Sequence, residues 1–221
     1  MEVLTEPGWL SASDLSALRQ LGARRSLRQG STLFMAGDEP HDVAIVESGD
    51  IKVVTSAPNG QEVVLDVVGE GELLGELSAL DGSPRSATAT ALSDCEIIAI
   101  PVDRFLGYLQ ENPTSMGALL AVVIKRLRLA NQRQLEFSTS DALGRVCARL
   151  DEMASRFGVA DGTAVKIELS ITQTELAQWC GLSREAVVKA LRKLRNLGWV
   201  GSSDGTIVIE DRASVHARGT L

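Results

Sequence analysis

The sequence has few cysteines and histidines, and it has no long hydrophobic segment. Cys95, Cys147 and Cys180 are odd in number and far apart, which argues against a disulfide framework. The two histidines, His41 and His216, lie near no cysteine, so no spacing suits a zinc, haem or iron–sulfur site. No apolar run approaches the ~20 residues of a membrane span, and the N-terminus has no secretory pattern. We therefore expect a cytoplasmic protein with no membrane partner, metal, haem or iron–sulfur cluster.

An excess of positive charge, common in proteins that bind nucleic acids, is also absent. The 221 residues carry a net charge of −7, which by itself disfavours a nucleic acid partner. The segment from Lys166 to Val200 reverses this sign, because its six basic and three acidic residues give +3. Nucleic acid binding is therefore favoured only for this segment.

Residues 1–112 have the pattern of an antiparallel β-structure. Short apolar runs alternate with glycine turns at about the 8–12-residue spacing of a sandwich or barrel. Asn59-Gly60 is a strong hairpin signal. We predict a jelly-roll-like β-roll here, preceded by a short helix from Ala12 to Leu21.

Residues 113–138 change to a helical period, starting at Pro113, which suits a first helical position. Apolar residues recur at steps of four and three, which predicts a coiled-coil seam between two copies of the chain. The seam positions are Met116, Leu120, Val123, Leu127, Ala130, Gln134 and Phe137. A helix lying on its own domain is the alternative, but the strict 3.5-residue period favours a homodimer.

Residues 139–221 open with another amphipathic helix and contain a helix–turn–helix pattern, "ITQTELAQWCGLSREAVVKALRKLRNLGWV". Thr172 and Glu175 form a capping box, so a helix begins there. Gly181 suits the turn, and Ser183 caps a second helix. The inward face of this helix is Val187, Ala190, Leu191 and Leu194. A hairpin with its turn at residues 203–205 follows as a wing, and Cys180 is expected to be a small buried residue rather than a redox switch.

The outward face of the second helix carries groups that suit the major groove of DNA. Arg184 can pair with guanine, Glu185 can accept from cytosine, and Lys189 can reach a guanine or a phosphate. The hydroxyls of Thr172, Thr174 and Ser183 are placed for phosphate contacts. A solvated face with a Glu185–Lys189 pair is the alternative, but the following hairpin favours DNA binding.

The stretch "GELSALDGSPRSATA" has the composition of a pocket for a small anion. Gly75 lets the backbone come close, and a short helix starting near Glu76 directs its N–H groups at the anion. Arg85 supplies a planar fork for two phosphate oxygens, and Ser86 adds a hydroxyl. A cyclic nucleotide is one anion that would fit, and Glu76 can then accept from its ribose hydroxyl. Glu76 is also close enough in the sequence to orient Arg85.

This stretch resembles the phosphate-binding cassette of cyclic-nucleotide-binding domains. Together with the seam and "CGLSREAV", nearly the whole chain resembles the cyclic-AMP receptor protein branch of the CRP/FNR transcription regulators. The resemblance implies a homodimer that binds palindromic double-stranded promoter DNA, shifts its dimer helices on nucleotide binding, and works with RNA polymerase. It also implies that Glu76 holds the ribose and that the cassette residues Gly75, Leu77, Arg85 and Ser86 line the pocket.

Two departures from the family pattern concern specificity. Lys189 stands where the best-known relative has arginine, so the preferred DNA site differs. Two hydroxyl residues that approach adenine in the family are here Ala130 and Asn131. The Asn131 amide can pair with adenine, so we expect cyclic AMP as effector, with cyclic GMP as an alternative. Arg126 either faces the pocket from the helix or is a solvated charge beside the seam.

The sequence therefore predicts an α+β protein with a β-roll at 1–112, a dimerisation helix at 113–138 and a winged helix–turn–helix domain at 139–221. Its expected function is cyclic-nucleotide-responsive, sequence-specific transcription regulation. The alternative is a regulator of the same type whose β-roll binds another effector or none. An enzyme is not expected, because no nucleophile–base pair or metal spacing is present.

Overall fold

The computed structural model describes residues 10–57, 60–203 and 206–220, and these form two compact units. The first unit contains the chain up to Gln61 and Leu65–Gln132, and the second contains Glu62–Val64 and the chain from Arg133 onward. No helix in the described part of the chain is long and apolar enough to cross a membrane.

The first unit is a β-roll, as the sequence predicts, and its helices pack against one face of one sheet. Its sheets are antiparallel, four-stranded, and ordered β1-β8-β3-β6 and β2-β7-β4-β5. The elements in chain order are α1 (Ala12–Arg19), β1 (Ala23–Leu27), β2 (Thr32–Phe34), β3 (Asp42–Ser48), β4 (Ile51–Ser56), β5 (Glu62–Val68), β6 (Leu73–Leu74), α2 (Glu76–Asp81), β7 (Thr88–Ala91), β8 (Cys95–Pro101), α3 (Val102–Glu111) and α4 (Pro113–Thr139).

The central residues of β3 and β8 are apolar because both faces of these strands are covered there. Ile45 and Ile98 pack with Leu18, Phe105 and Leu119 from the helices. The alternate residues Val46 and Ile97 pack with Ile51, Leu74 and Ala89 between the two sheets. The sheet bearing β3 and β8 therefore forms a rigid middle layer, and β6 at its edge leads directly into the cassette helix α2.

Two details of this unit differ from the expectations. Helix α1 starts at Ala12 as predicted but ends at Arg19, two residues early, where Gln20 provides the C-cap. Helix α3 was not predicted; it buries Phe105 and Leu109, one turn apart, against the middle sheet. Asn59 lies outside the described residues, so the predicted Asn59-Gly60 turn is not described.

Helix α4 is continuous from Pro113 to Thr139 and buries few of its residues. Leu119 packs in the core with the β-roll, whereas the seam residues Met116, Leu120 and Leu127 are exposed. The predicted seam and the face that packs on the β-roll are thus two different faces of one helix.

The second unit combines packed helices with a four-stranded antiparallel sheet ordered β11-β12-β10-β9. Its elements are α5 (Ala142–Phe157), β9 (Gly158–Asp161), β10 (Ala164–Ile167), α6 (Gln173–Cys180), α7 (Arg184–Asn196), β11 (Val200–Ser203), β12 (Thr206–Ile209) and α8 (Arg212–Gly219). The strands of the expected wing, β11 and β12, pair up to Ser203↔Thr206, while the predicted turn residues 204 and 205 lie outside the described residues.

Helix α8 was not predicted, because only Val215 and Gly219 of its residues are buried. It packs on α5, where a Cβ on Gly219 would lie 2.7 Å from the backbone nitrogen of Ala148. The backbones of α5 and α8 therefore approach closely, which requires glycine at this position.

Candidate functional site

The cassette forms a tight turn around the short helix α2. Gly75 immediately before α2 has φ +82°, and Gly82 after it has φ +71°. Both values lie in the left-handed region that favours glycine. At Gly75 there is a second requirement, because a Cβ built there would overlap Nη1 of Arg85.

Arg85 is 4% exposed and is held from three sides. Its Nη1 donates to the Gly75 carbonyl at 2.9 Å. Its Nη2 donates to the Asp42 carbonyl at 2.5 Å and lies 3.3 Å from the Asp42 carboxylate. The guanidinium carbon lies 4.3 Å from the centre of the Phe34 ring, within cation–π range. The fork is therefore fixed before any ligand arrives.

One donor of Arg85 remains unsatisfied within the described residues. Its Nε is buried and has no hydrogen-bond acceptor. Burial lowers the pKa of Arg85 from its usual range, while the charges of Asp42, Asp38 and Glu76 oppose this shift. An unmade hydrogen bond of a buried group costs about 1–3 kcal/mol or more when the group is charged, so this site favours an anionic acceptor.

Glu76 does not orient Arg85, contrary to one expectation. Its carboxylate is 1% exposed and forms an ion pair with Arg126 of α4. Arg126 also donates from Nη2 to the Leu73 carbonyl at 2.7 Å. The reason is topological, since α4 passes the start of α2 and brings a second guanidinium closer to Glu76. Arg126 thus faces the cassette rather than solvent alone.

An open cleft of about 390 Å³ lies between the cassette and α4. The two cassette residues Leu77 and Ser86, which the sequence predicts as ligand contacts, line this cleft. The apolar seam residues Met116, Leu120 and Val123 form its opposite side. Asn131 is exposed five residues beyond Arg126 and makes no hydrogen bond to the cassette among the described residues.

Sequence reasoning missed Asp42 and Phe34, which hold Arg85. They precede it by 43 and 51 positions, and neither belongs to a recognisable motif. In the sequence they are only an aspartate where β3 starts and a phenylalanine where β2 ends. Strand pairing, which spacing does not reveal, brings both beside the cassette.

The helix–turn–helix has the local geometry that its sequence predicts. Thr172 and Glu175 form a reciprocal capping box at the start of α6. Gly181 has φ +61°, and the Ser183 side chain accepts from the Ala186 N–H at 3.2 Å. The inward residues of α7 are buried as expected, namely Val187, Ala190, Leu191 and Leu194.

The proposed base-reading residues Arg184, Glu185 and Lys189 are all exposed on α7. Within the described chain they form no ion pair, so the alternative Glu185–Lys189 pair is not present. The Glu185 backbone N–H, the Ser183 hydroxyl and the Arg184 charge lower the pKa of Glu185. Glu185 therefore stays an ionised acceptor at neutral pH.

The three hydroxyl residues predicted to contact phosphate are exposed, but they are not equivalent. The Thr172 hydroxyl lies 2.8 Å from the Glu175 carboxylate, so its proton is already engaged. The Ser183 oxygen accepts from the Ala186 N–H, and its hydroxyl donates to the Glu185 carboxylate. Thr174 is exposed at the first turn of α6.

A second contact that sequence reasoning missed connects the end of α4 to the helix–turn–helix. Arg145 of α5 donates to the Phe137 carbonyl at 3.0 Å and to the Gly181 carbonyl at 3.5 Å. A Cβ on Gly181 would lie 2.9 Å from the Phe137 ring. The last seam position therefore rests on the turn between α6 and α7.

The cysteines show no sign of reactivity. Cys180 is buried, and burial raises its pKa to about 12. Burial also raises the pKa of Cys147 to about 11. No group of three or more His, Cys, Asp or Glu side chains in the described ranges is placed to hold a metal ion.

The cassette lies in one unit and the helix–turn–helix in the other, and a family model matches each of these two regions. The family model of the cyclic nucleotide-binding domain matches residues 24–112. The model of the Crp-like helix-turn-helix domain matches residues 144–218.

Individual relatives cover most of the chain. It is 31% identical over 213 residues, 95% of each chain, to the CRP-like cAMP-activated global transcriptional regulator of Mycobacterium tuberculosis. It is 33% identical over 190 residues, 86% of this chain and 85% of the relative, to the cyclic AMP receptor protein of Thermus thermophilus. The fold is shared with the c-di-GMP responsive global regulator CLP of Xanthomonas campestris, with a TM-score of 0.76, 22% identity and coverage of 90% and 99%.

The protein is thus a transcription regulator with a cyclic-nucleotide-binding domain and a DNA-binding helix–turn–helix, and it is not an enzyme. It belongs to the CRP/FNR family.

Proposed function

We propose that this chain is a homodimeric regulator that binds cyclic AMP in its β-roll and then binds a palindromic promoter site. The buried Arg85 carries the nucleotide part of the proposal, because its unsatisfied Nε needs an acceptor that the described residues do not supply. A cyclic phosphodiester fits this need, since it is anionic and its free oxygens can accept from Nε.

Each cassette residue then has a defined task. Arg85 and the Ser86 hydroxyl donate to the phosphate, and Gly75 gives the guanidinium room. Glu76 accepts from the ribose hydroxyl with one oxygen while Arg126 holds the carboxylate in place. Leu77 covers the pocket from α2, and Asn131 is available to a purine from α4.

Cyclic AMP is the proposed effector because two relatives that match most of the chain are named for it. Cyclic GMP is the second candidate, since the Asn131 amide can donate to or accept from either purine. The Glu76–Arg126 pair favours one further candidate, a regulator that binds another effector or none, because one oxygen of the proposed ribose acceptor is already engaged.

Calorimetric titration of the full chain with cyclic AMP and cyclic GMP tests the effector. We expect tighter binding of cyclic AMP than of cyclic GMP. Arg85→Leu should abolish the binding heat, because the fork is lost, whereas His41→Ala, in an exposed loop, should leave it unchanged. Equal affinity of wild type and Arg85→Leu would refute the pocket assignment.

The DNA proposal rests on the exposed face of α7, which carries Arg184, Glu185 and Lys189. Arg184, Glu185 and Lys189 read bases, and Thr172, Thr174 and Ser183 contact phosphates. For Thr172 and Ser183 this means exchanging the Glu175 and Glu185 carboxylates for a phosphate. RNA polymerase is the proposed further partner, and the cytoplasm is the proposed compartment, because promoter DNA is the target.

Selection of binding sites from random duplex DNA, with and without cyclic AMP, tests this reading. Replacing Arg184 with alanine should cost about 1–3 kcal/mol on the selected site and much less on random DNA. An equal loss on both DNAs would make Arg184 a phosphate contact. Failure to select any preferred sequence would refute the DNA proposal as a whole.

A further inference from the structure

The exposed face of α7 contains one side chain that cannot form a hydrogen bond. Val188 is 40% exposed, whereas the other apolar residues in the middle of this helix are buried. It follows Arg184 by four positions and Glu185 by three, and it precedes Lys189. Residues three or four positions apart are neighbours on a helix surface, so Val188 lies beside Arg184 and Glu185.

Valine at this position does not favour the folded domain. A β-branched residue has a lower helix propensity than alanine, lysine or glutamate, and this side chain adds little to the core. Single exposed apolar residues are common on proteins, so exposure alone carries no weight. The position of Val188 inside a cluster of charged side chains that face DNA is what requires an explanation.

We infer that Val188 reads thymine, by packing against its C5-methyl group in the major groove. This inference rests on the proposed docking of α7. A valine side chain has no donor or acceptor, so it contributes nothing to phosphate contacts or to hydrogen-bond readout. The thymine methyl is the apolar group that a standard base pair presents in the major groove.

The geometry of the side chain favours this role. The two γ-methyl groups of valine occupy one strongly preferred rotamer in a helix, so little rotamer freedom is lost on contact. Because the neighbours Arg184 and Lys189 read bases on either side, the thymine should lie within the same half-site. Each chain of a dimer would read one such thymine.

Uracil substitution tests the inference without changing the base pairing. A site is first selected from random duplexes with the full chain, in the ligand state that binds best. Each thymine of one half-site is then replaced singly by uracil, which lacks only the methyl group. We expect one position at which wild type binds about fourfold more weakly, the value for one buried methyl group at about 0.8 kcal/mol.

Val188→Ala should abolish this thymine preference while keeping the rest of the selected sequence. It removes both γ-methyl groups and raises helix propensity, so the helix is retained. The matched control is Val159→Ala, which truncates a 49%-exposed valine on β9 of the same unit and should keep the fourfold preference.

The outcomes are separable. A selected site with no methyl-dependent thymine, or with the same dependence in Val188→Ala, overturns the inference while DNA reading by α7 stands. Absence of any selected site refutes the proposed DNA function, and the inference with it.

Discussion

At the scale of single residues, the cassette is organised by the space around one guanidinium. Arg85 is buried between a glycine carbonyl, an aspartate and an aromatic ring. Burial of a charge is costly unless its donors are satisfied, which explains why so many groups converge on it. Gly75 provides both the left-handed turn and the volume that Nη1 occupies.

Gly75→Ala should therefore abolish nucleotide binding, whereas Gly82→Ala should not. Both glycines have positive φ, so both changes strain the backbone by about 1–2 kcal/mol. Only at Gly75 does the new Cβ meet Arg85, since nothing lies within 4 Å of a Cβ on Gly82. Calorimetry measures the affinities and thermal unfolding measures the shared strain. Equal affinities of the two variants would contradict the steric explanation.

At the scale of elements, α5 starts from a cap that carries two interactions. Asp141 accepts from the Gly144 N–H at 2.8 Å and forms an ion pair with Arg218 of α8. The Gly144 hydrogen bond, and then Arg218, lower the pKa of Asp141, although partial burial opposes this. The cap thus fixes α5 and, through it, the close packing of α8.

Asp141→Ala should lower the free energy of unfolding by about 1 kcal/mol at neutral pH, a usual value for a lost N-cap. Asp141→Asn keeps the cap but not the charge, so it separates the two contributions. Because the folded pKa is lowered, the charge stabilises fully above the unfolded pKa near 3.9 and is lost as pH falls through the folded value.

Urea unfolding, followed by the fluorescence of the buried Trp179 in the same unit, measures both variants. The difference in the free energy of unfolding between wild type and Asp141→Asn should become smaller below about pH 4. A difference that grows on acidification would contradict the assignment.

At the scale of the whole molecule, α4 serves both units. Arg126 contacts the cassette in the first unit, and Phe137 contacts the turn of the helix–turn–helix in the second. The seam residues between them are exposed in the single chain. A ligand can shift the regulator only through different affinities for its two states, and α4 carries contacts on which such a difference can act.

Leu127→Glu should convert the proposed dimer to monomer at micromolar concentration. The side chain is 59% exposed in the single chain, and its burial in a seam contributes about 2 kcal/mol per chain. Losing this stabilisation from both chains raises the dissociation constant of the dimer by about a thousandfold. Leu197→Glu changes a 48%-exposed leucine outside the seam, and that variant should remain dimeric in sedimentation velocity. Dimers of Leu127→Glu as stable as wild type would place the interface elsewhere.

The amino-acid sequence by itself determined the features that depend on near neighbours along the chain. The caps at Thr172 and Ser183, the turn at Gly181 and the start of α4 at Pro113 follow from interactions within a few residues. The amphipathic helices α5 and α7 follow from their hydrophobic periodicity. Helices α3 and α8 were not predicted, because each of them buries only two residues.

Only the tertiary structure decided which charges meet. Asp42 binds Arg85 although the two are 43 positions apart in the sequence, and Arg126 binds Glu76 although they are 50 positions apart. Local spacing suggested instead that Glu76 orients Arg85. Buried charges require partners from whichever strands and helices pack beside them, and that packing is set by the burial of the whole β-roll rather than by any short stretch of sequence.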